Sequence, residues 1–163
     1  MLIKIVDDDQ VFAKKIESMV YDGFKDIFLD YSIDCITSHF EDRYFEKGDI
    51  FFLDIDLKEK NGIKIAEKIR ENNSNAIIIF VSAMNDMIFD SLIVQPFYFI
   101  RKDNFDRDMK IACTLIQKSY AVNLFWVKEI YKEELLLRNG VTLKIGKKYQ
   151  QDVLASYKEY LLK

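Results

Sequence analysis

Four short apolar runs in this sequence each end on residues that could together hold a divalent cation and accept a phosphoryl group. Leu2 to Val6 gives onto Asp7-Asp8, and Ile50 to Leu53 onto Asp54. Ala76 to Val81 gives onto Ser82, and Phe97 to Ile100 runs into Arg101-Lys102. Clustered carboxylates repel one another, and a hard cation with oxygen ligands, such as Mg²⁺, relieves them. A carboxylate beside that cation, with a hydroxyl and an ammonium near it, can take up a phosphoryl group. The metal and Lys102 would neutralise charge developing on the phosphoryl oxygens, and Ser82 would hydrogen-bond one of them afterwards. Any one strand-end acid is more often a helix cap or a loop residue. Four such positions at the same end of successive strands carry the argument.

The elements that must position these residues are legible from periodicity. Ile50 to Leu53 is apolar on both faces, as a buried strand of a parallel sheet requires, and Asp54 then lies at its carboxyl end, where open α/β sheets bind ligands. Asn61-Gly62 is a turn dipeptide followed by Ile63, Ala66 and Ile69 at helical spacing, which predicts a helix over 61–71. Strands are expected over 2–6, 31–36, 76–82 and 97–100. Further helices are expected from Phe12, Ile16, Met19 and Val20, over 39–47 (a polar one), over 85–94 and over 104–117. Five strands alternating with five helices indicate a doubly wound parallel sheet. From residue 121 the rhythm changes. Strands are expected over 122–127 and 134–138, a hairpin at Asn139-Gly140, a return strand over 141–145 and a closing amphipathic helix over 149–162. That helix would carry Val153, Leu154, Tyr157, Tyr160 and Leu161.

The 163 residues suffice for one well-buried domain with a small appendage; half are hydrophobic and 31% are charged. Apolar runs are far too short for a membrane span, and the first residues place acids directly after their apolar run, unlike a signal peptide. Cys35 and Cys113 lack a partner motif, and two reduced thiols fit a cytoplasmic protein. The net charge of −3 divides into −6 over residues 1–118 and +3 over 119–163. An acidic body with a basic tail suits a cation site in front and a polyanion behind, and equally suits scattered solvated charge. His39, the only histidine, has no metal set or nucleophile near it in sequence, and no phosphate-binding glycine loop is present.

Residues 1–118 resemble a response-regulator receiver domain of two-component signalling. The matching segments are Ile5-Val6-Asp7-Asp8-Asp9, Phe52-Leu53-Asp54-Ile55-Asp56 with Asn61-Gly62, Phe80-Val81-Ser82-Ala83, and Phe99-Ile100-Arg101-Lys102. The resemblance implies a five-stranded flavodoxin-like domain in which Asp54 accepts phosphate from a histidine kinase. It implies that Asp7, Asp8 and Asp54, with the backbone carbonyl of Asp56, hold Mg²⁺. Ser82 would be the switch hydroxyl, Lys102 the phosphoryl contact and Phe99 the switch aromatic. Receivers usually follow that lysine with Pro, often in a cis peptide, whereas Asp103 stands here.

Residues 119–163 are similar to the second half of a LytTR-type DNA-binding domain. The matching pieces are Lys118-Ser119-Tyr120-Ala121-Val122-Asn123-Leu124, Val127 to Ile130, Leu137-Arg138-Asn139-Gly140 and Leu143 to Tyr149. Carried over by position, Lys118, Lys147 and Lys148 would contact DNA. A half domain would leave Leu124, Trp126 and Leu136 uncovered. The expectation is a signalling switch rather than an enzyme with a diffusible product, with a sensor histidine kinase as partner, a homodimer when phosphorylated, and DNA contact through the tail. Two alternatives are a receiver that acts by protein–protein interaction without DNA, and a phosphohydrolase of the related Mg²⁺-aspartate type, for which the loops leave no cap.

Overall fold

The apolar runs form the expected sheet because they are buried on both faces. In the computed structural model, which describes residues 1–25, 31–119 and 127–162, β1 (Leu2–Val6), β2 (Ser32–Ile36), β3 (Ile50–Leu53), β4 (Ile77–Ser82) and β5 (Tyr98–Arg101) pair in parallel in the order β2-β1-β3-β4-β5. Successive residues of a strand point to opposite faces, so the sheet has two cores. Ile3, Ile5, Phe52, Ile79 and Val81 pack under α1 (Gln10–Phe24) and α4 (Phe105–Ser119). Val6, Phe51, Leu53, Ile78 and Phe80 pack under α2 (Gly62–Asn72). The strand order sets β1 beside β3 with Val6 level with Leu53. Asp7 and Asp54 therefore leave the sheet side by side, and the Asp54 amide donates to the Val6 carbonyl at 2.8 Å.

Two of the five expected helices take other forms. Segment 39–47 contains a single 3-10 turn, Asp42–Phe45. Its two apolar anchors, Phe40 and Phe45, plug the sheet face. Their spacing of five suits no helical face, so nothing holds a longer helix there. Segment 85–94 is a 3-10 turn, a four-residue α3 (Ile88–Ser91) and a second 3-10 turn, Leu92–Val94. Among its described residues only Ser91 and Val94 are buried, while Phe89, Leu92 and Ile93 face outward. It stops at Gln95, which is left-handed at φ 50°, just before the chain's one proline, a residue that disfavours helix in its predecessor.

One side chain ties this broken segment down. The Arg70 guanidinium donates to the carbonyls of Ser74 (2.8 Å), Ala76 (2.7 Å), Val94 (3.1 Å) and Gln95 (3.3 Å). It thereby joins the end of α2, the start of β4 and the turn before β5. Partial burial lowers its pKa from the ordinary arginine value.

A second clamp holds the end of β5. Arg101 donates its backbone amide (3.3 Å) and Nε (2.8 Å) to Asp108 Oδ2, and Nη2 (3.1 Å) to Oδ1. These hydrogen bonds hold the Asp108 carboxyl below the ordinary carboxylate value. Asp108 is buried but the Arg101 side chain is 38% exposed, so water screening limits the worth of the pair. A lowered folded value stabilises above the unfolded carboxylate range and is lost as pH falls through it. Asp108→Asn is expected to lower the unfolding midpoint by a few degrees at neutral pH. That difference from the wild type should shrink below about pH 4; a difference constant down to pH 2 would rule the clamp out as its cause.

In the tail, β6 (Val127–Tyr131), β7 (Glu134–Leu137) and β8 (Thr142–Lys144) form an antiparallel sheet followed by α5 (Gln150–Leu161). The hairpin at Asn139-Gly140 is present: Gly140 takes φ 86° and its amide donates to the Leu137 carbonyl at 3.0 Å. A strand runs over 127–131, and residues 122–126 of the expected strand, with Leu124 and Trp126, lie outside the described residues. Among the described residues the buried core is Val127, Leu135 and Ile145, with Val153 and Tyr157 of α5 packed against it. Leu136 is half-buried, and Leu154, Tyr160 and Leu161 of α5 are exposed rather than packed.

Candidate functional site

Three loops meet at the carboxyl ends of β1, β3 and β5. The first carries Asp7, Asp8 and Asp9. Asp9 caps α1, its Oδ1 accepting from the amides of Val11 (2.9 Å) and Phe12 (3.1 Å). Asp7, fully buried, accepts the Asp9 amide on Oδ1 at 2.9 Å. The second loop follows β3. The Asp54 carboxylate is buried and accepts the Asp56 amide on Oδ1 at 3.2 Å, while Asp56 itself is exposed and bridges to Asn61. Asn61 caps α2 through Ile63 and Lys64. The third loop is a 3-10 turn, Lys102–Asn104, reached through trans peptides, with Asp103 where receivers usually have Pro.

Lys102 joins the three. Its Nζ donates to Asp54 Oδ2 at 2.6 Å and lies 2.8 Å from Asp7 Oδ2. The second contact is an ion pair without hydrogen-bond geometry, so that Asp7 oxygen is buried and incompletely satisfied. Burial pushes the Asp7 carboxyl above the ordinary carboxylate value, with Lys102 only partly opposing it. Burial alone would lower the Lys102 ammonium, but its attraction to the Asp54 and Asp7 carboxylates outweighs that and holds it above the ordinary lysine value. One ammonium is serving two buried carboxylates, which leaves the site short of positive charge.

Carboxylate oxygens of Asp7, Asp8 and Asp54 lie within 4.8 Å of one another. Three hard oxygen donors, one of them under-satisfied and all in excess of their counter-charge, fit a divalent cation such as Mg²⁺. Lys58 reaches the Asp8 carboxylate at 3.2 Å from an otherwise exposed position, supplying a surface counter-charge.

Ser82 is buried at the end of β4, one residue beyond the level of Asp54, with Oγ accepting the Met84 amide at 3.1 Å. Phe99 is half-buried on β5 with its ring 6.4 Å from that of Phe80. The structure thus brings Asp7, Asp8, Asp54 and Lys102 together and sets Ser82 and Phe99 on the adjoining strands. Lys147 is exposed in a 3-10 turn before α5; the Lys118 and Lys148 side chains lie outside the described residues.

Residues 3–113 match the response regulator receiver domain. The chain belongs to that family. The sensory transduction protein LytT of Bacillus anthracis is 29% identical over 115 residues, covering 71% of this chain and 46% of that protein. LytT of Bacillus cereus is 28% identical over the same shares. The chain thus spans about half the length of these curated relatives. Among solved structures, the response regulator protein TrrA from Thermotoga maritima in complex with Mg(2+)-BeF has a TM-score of 0.57 at 24% identity, over 70% of this chain and 97% of that one. A CheY-like receiver domain protein from Methanospirillum hungatei has a TM-score of 0.58 at 22% identity, over 74% and 98%. Both likenesses are of fold. No helix among the described residues is long and apolar enough to cross a membrane.

Two contributors were not singled out by the sequence for the roles they take. Lys58 sits in a loop without periodicity, and only the fold brings it to Asp8. Phe12 reads as core from its helical spacing, yet its ring also lies against Lys102, 4.6 Å from Nζ.

Proposed function

We propose that this receiver takes a phosphoryl group on Asp54 from a sensor histidine kinase, and that the modification biases dimerisation and DNA contact through the tail. The observation that carries the reading is the Asp54 carboxylate, held at the sheet mouth between one ammonium and two further acids. Asp7, Asp8 and Asp54, with the Asp56 backbone carbonyl, would hold Mg²⁺, which when bound supplies charge neutralisation for the transferring phosphoryl oxygens. An Asp54 carboxylate oxygen attacks phosphorus as the P–N bond to the donor imidazole breaks, and the imidazole nitrogen keeps the electron pair and takes a proton. Lys102, freed from part of its bond to Asp54, then pairs with the new phosphoryl charge. Ser82 Oγ exchanges its present acceptance of the Met84 amide for donation to a phosphoryl oxygen. The chain ends the transfer as a modified switch, not as an enzyme releasing a product.

Movement of Ser82 and Phe99 would be read at the segment between β4 and β5, where Phe89, Leu92 and Ile93 already face solvent. Large exposed apolar residues grouped on one face suit a protein partner. We divide the chain into a receiver over 1–118 and the second half of a LytTR-type domain over 119–163, in which Lys118, Lys147 and Lys148 would meet DNA phosphates, as expected of a cytoplasmic regulator. The small core among the described residues of the tail favours a second reading, in which the receiver acts through protein contact alone.

Light scattering after size exclusion, with Mg²⁺ and beryllofluoride as the phosphoryl mimic, tests the switch. The expected result is a shift from monomer to dimer that Asp54→Asn removes. Mg²⁺ and mimic binding without any shift would refute phosphorylation-driven dimerisation and leave the protein-contact reading; DNA binding insensitive to salt would refute the phosphate contacts.

A further inference from the structure

Lys102 is followed by Asp103, and its ammonium lies 2.6 Å from Asp54 and 2.8 Å from Asp7, both buried. Three features converge on it. Its Nζ lies over the Phe12 ring, 4.6 Å from the centroid. The Phe12 ring is fixed edge-on to Phe105, the first residue of α4, with centroids 4.8 Å apart at 64°. The backbone of Phe12 is fixed by the Asp9 cap at 3.1 Å, so the loop that presents Asp7 and Asp8 also presents the ring. On the far side, Lys15 lies 4.6 Å from the Phe105 centroid and 2.9 Å from Asp106, which closes the stack onto α4.

We propose that Phe12 is a positioning residue for phosphoryl transfer: its ring face holds the Lys102 ammonium in register with Asp54 and Asp7. A ring face attracts a cation and sheds water from it, and the attraction grows as the cation is desolvated. An ammonium has three N–H donors. Asp54 takes one of them in a hydrogen bond and Asp7 attracts the charge as an ion pair at 2.8 Å, while the ring lies against the ammonium and shields it from solvent. Aliphatic packing at this position would fill the space without attracting the charge. The proposal rests on Asp54 being the phosphoacceptor.

The test uses the whole chain, three variants at position 12 (Phe12→Leu, Phe12→Met and Phe12→Tyr) and Lys102→Arg for assignment. In the wild type, the Lys102 ε-methylene protons are expected upfield of the other lysines, from the ring current of Phe12, and Lys102→Arg identifies them. Phe12→Leu is expected to weaken beryllofluoride binding by roughly three- to tenfold and to slow phosphorylation by acetyl phosphate similarly. Phe12→Tyr, which keeps the ring face, should restore both. Equal loss in Leu, Met and Tyr variants would mean that packing alone is at stake and would overturn the proposal. So would wild-type binding in Phe12→Leu, or unshifted Lys102 methylenes in the wild type, which stays decisive should the Leu variant not fold. Failure of the wild type itself to bind the mimic or take phosphate would instead overturn the assignment of Asp54.

Discussion

Asp54→Asn is expected to reduce phosphate incorporation from a small-molecule donor to background, a loss of a hundredfold or more, while leaving the fold intact. The amide that replaces the carboxylate is isosteric but is no nucleophile at neutral pH, so the covalent step loses its acceptor. Folding should survive because Asp54 is one of three carboxylates crowded within 4.8 Å, and its removal relieves repulsion. Lys102 keeps Asp7 at 2.8 Å as its counter-charge. Incorporation of radiolabelled phosphate, with circular dichroism as the check on folding, reads both quantities. Unchanged incorporation would move the acceptor to a neighbouring acid and remove the central assignment.

The second large effect is expected at Gly62, which does not touch the reacting atoms. A Cβ built there overlaps the Asp54 carbonyl oxygen and comes within 2.9 Å of the Ile55 Cα. Both are backbone, so no side chain can turn away to make room. The Gly62 amide also donates to the Ile55 carbonyl at 2.9 Å, which brings the first turn of α2 onto the end of β3. Any side chain at 62 must part the helix from the strand and carry Asp54 with it. Gly62→Ala should cost roughly 1–3 kcal/mol of stability, typical of overpacking. It should also slow phosphorylation at least tenfold, since a displacement of about 1 Å can cost more than that. Thermal unfolding and the acetyl phosphate rate measure the two, with Asn61→Asp as a control that keeps the cap. A Gly62→Ala protein phosphorylated at the wild-type rate would refute the close approach as a determinant of the site.

These residues also mark what could be read from the chain. The strands were legible because Ile50 to Leu53 and Ile77 to Val81 admit no exposed face, and the mouth acids follow from where such runs stop. Asn61-Gly62 was legible as a turn, but the reason for glycine was not, because the crowding atom belongs to Asp54, eight residues earlier. The helices expected over 39–47 and 85–94 failed for a shared reason. Local sequence permitted a helix in both, but too few side chains there are buried to hold one against the sheet. Phe12 was legible as core and not as a neighbour of Lys102, since periodicity assigns a face but not the atom that face meets 90 residues away.

The anchoring of residues 94 and 95 by Arg70 has a mechanical consequence. The outward-facing run from Phe89 to Ile93 is fastened at its far end to the frame of the domain and left, at its near end, to the polypeptide that follows Ser82. With one end fixed, a pull at Ser82 cannot slide the whole run along the surface and must be taken up as rotation or tightening within it. A stretch with four α-helical residues between 3-10 turns holds few cooperative hydrogen bonds to resist such winding. Under the proposed phosphorylation, such a pull would be expressed first in the facing of Phe89, Leu92 and Ile93.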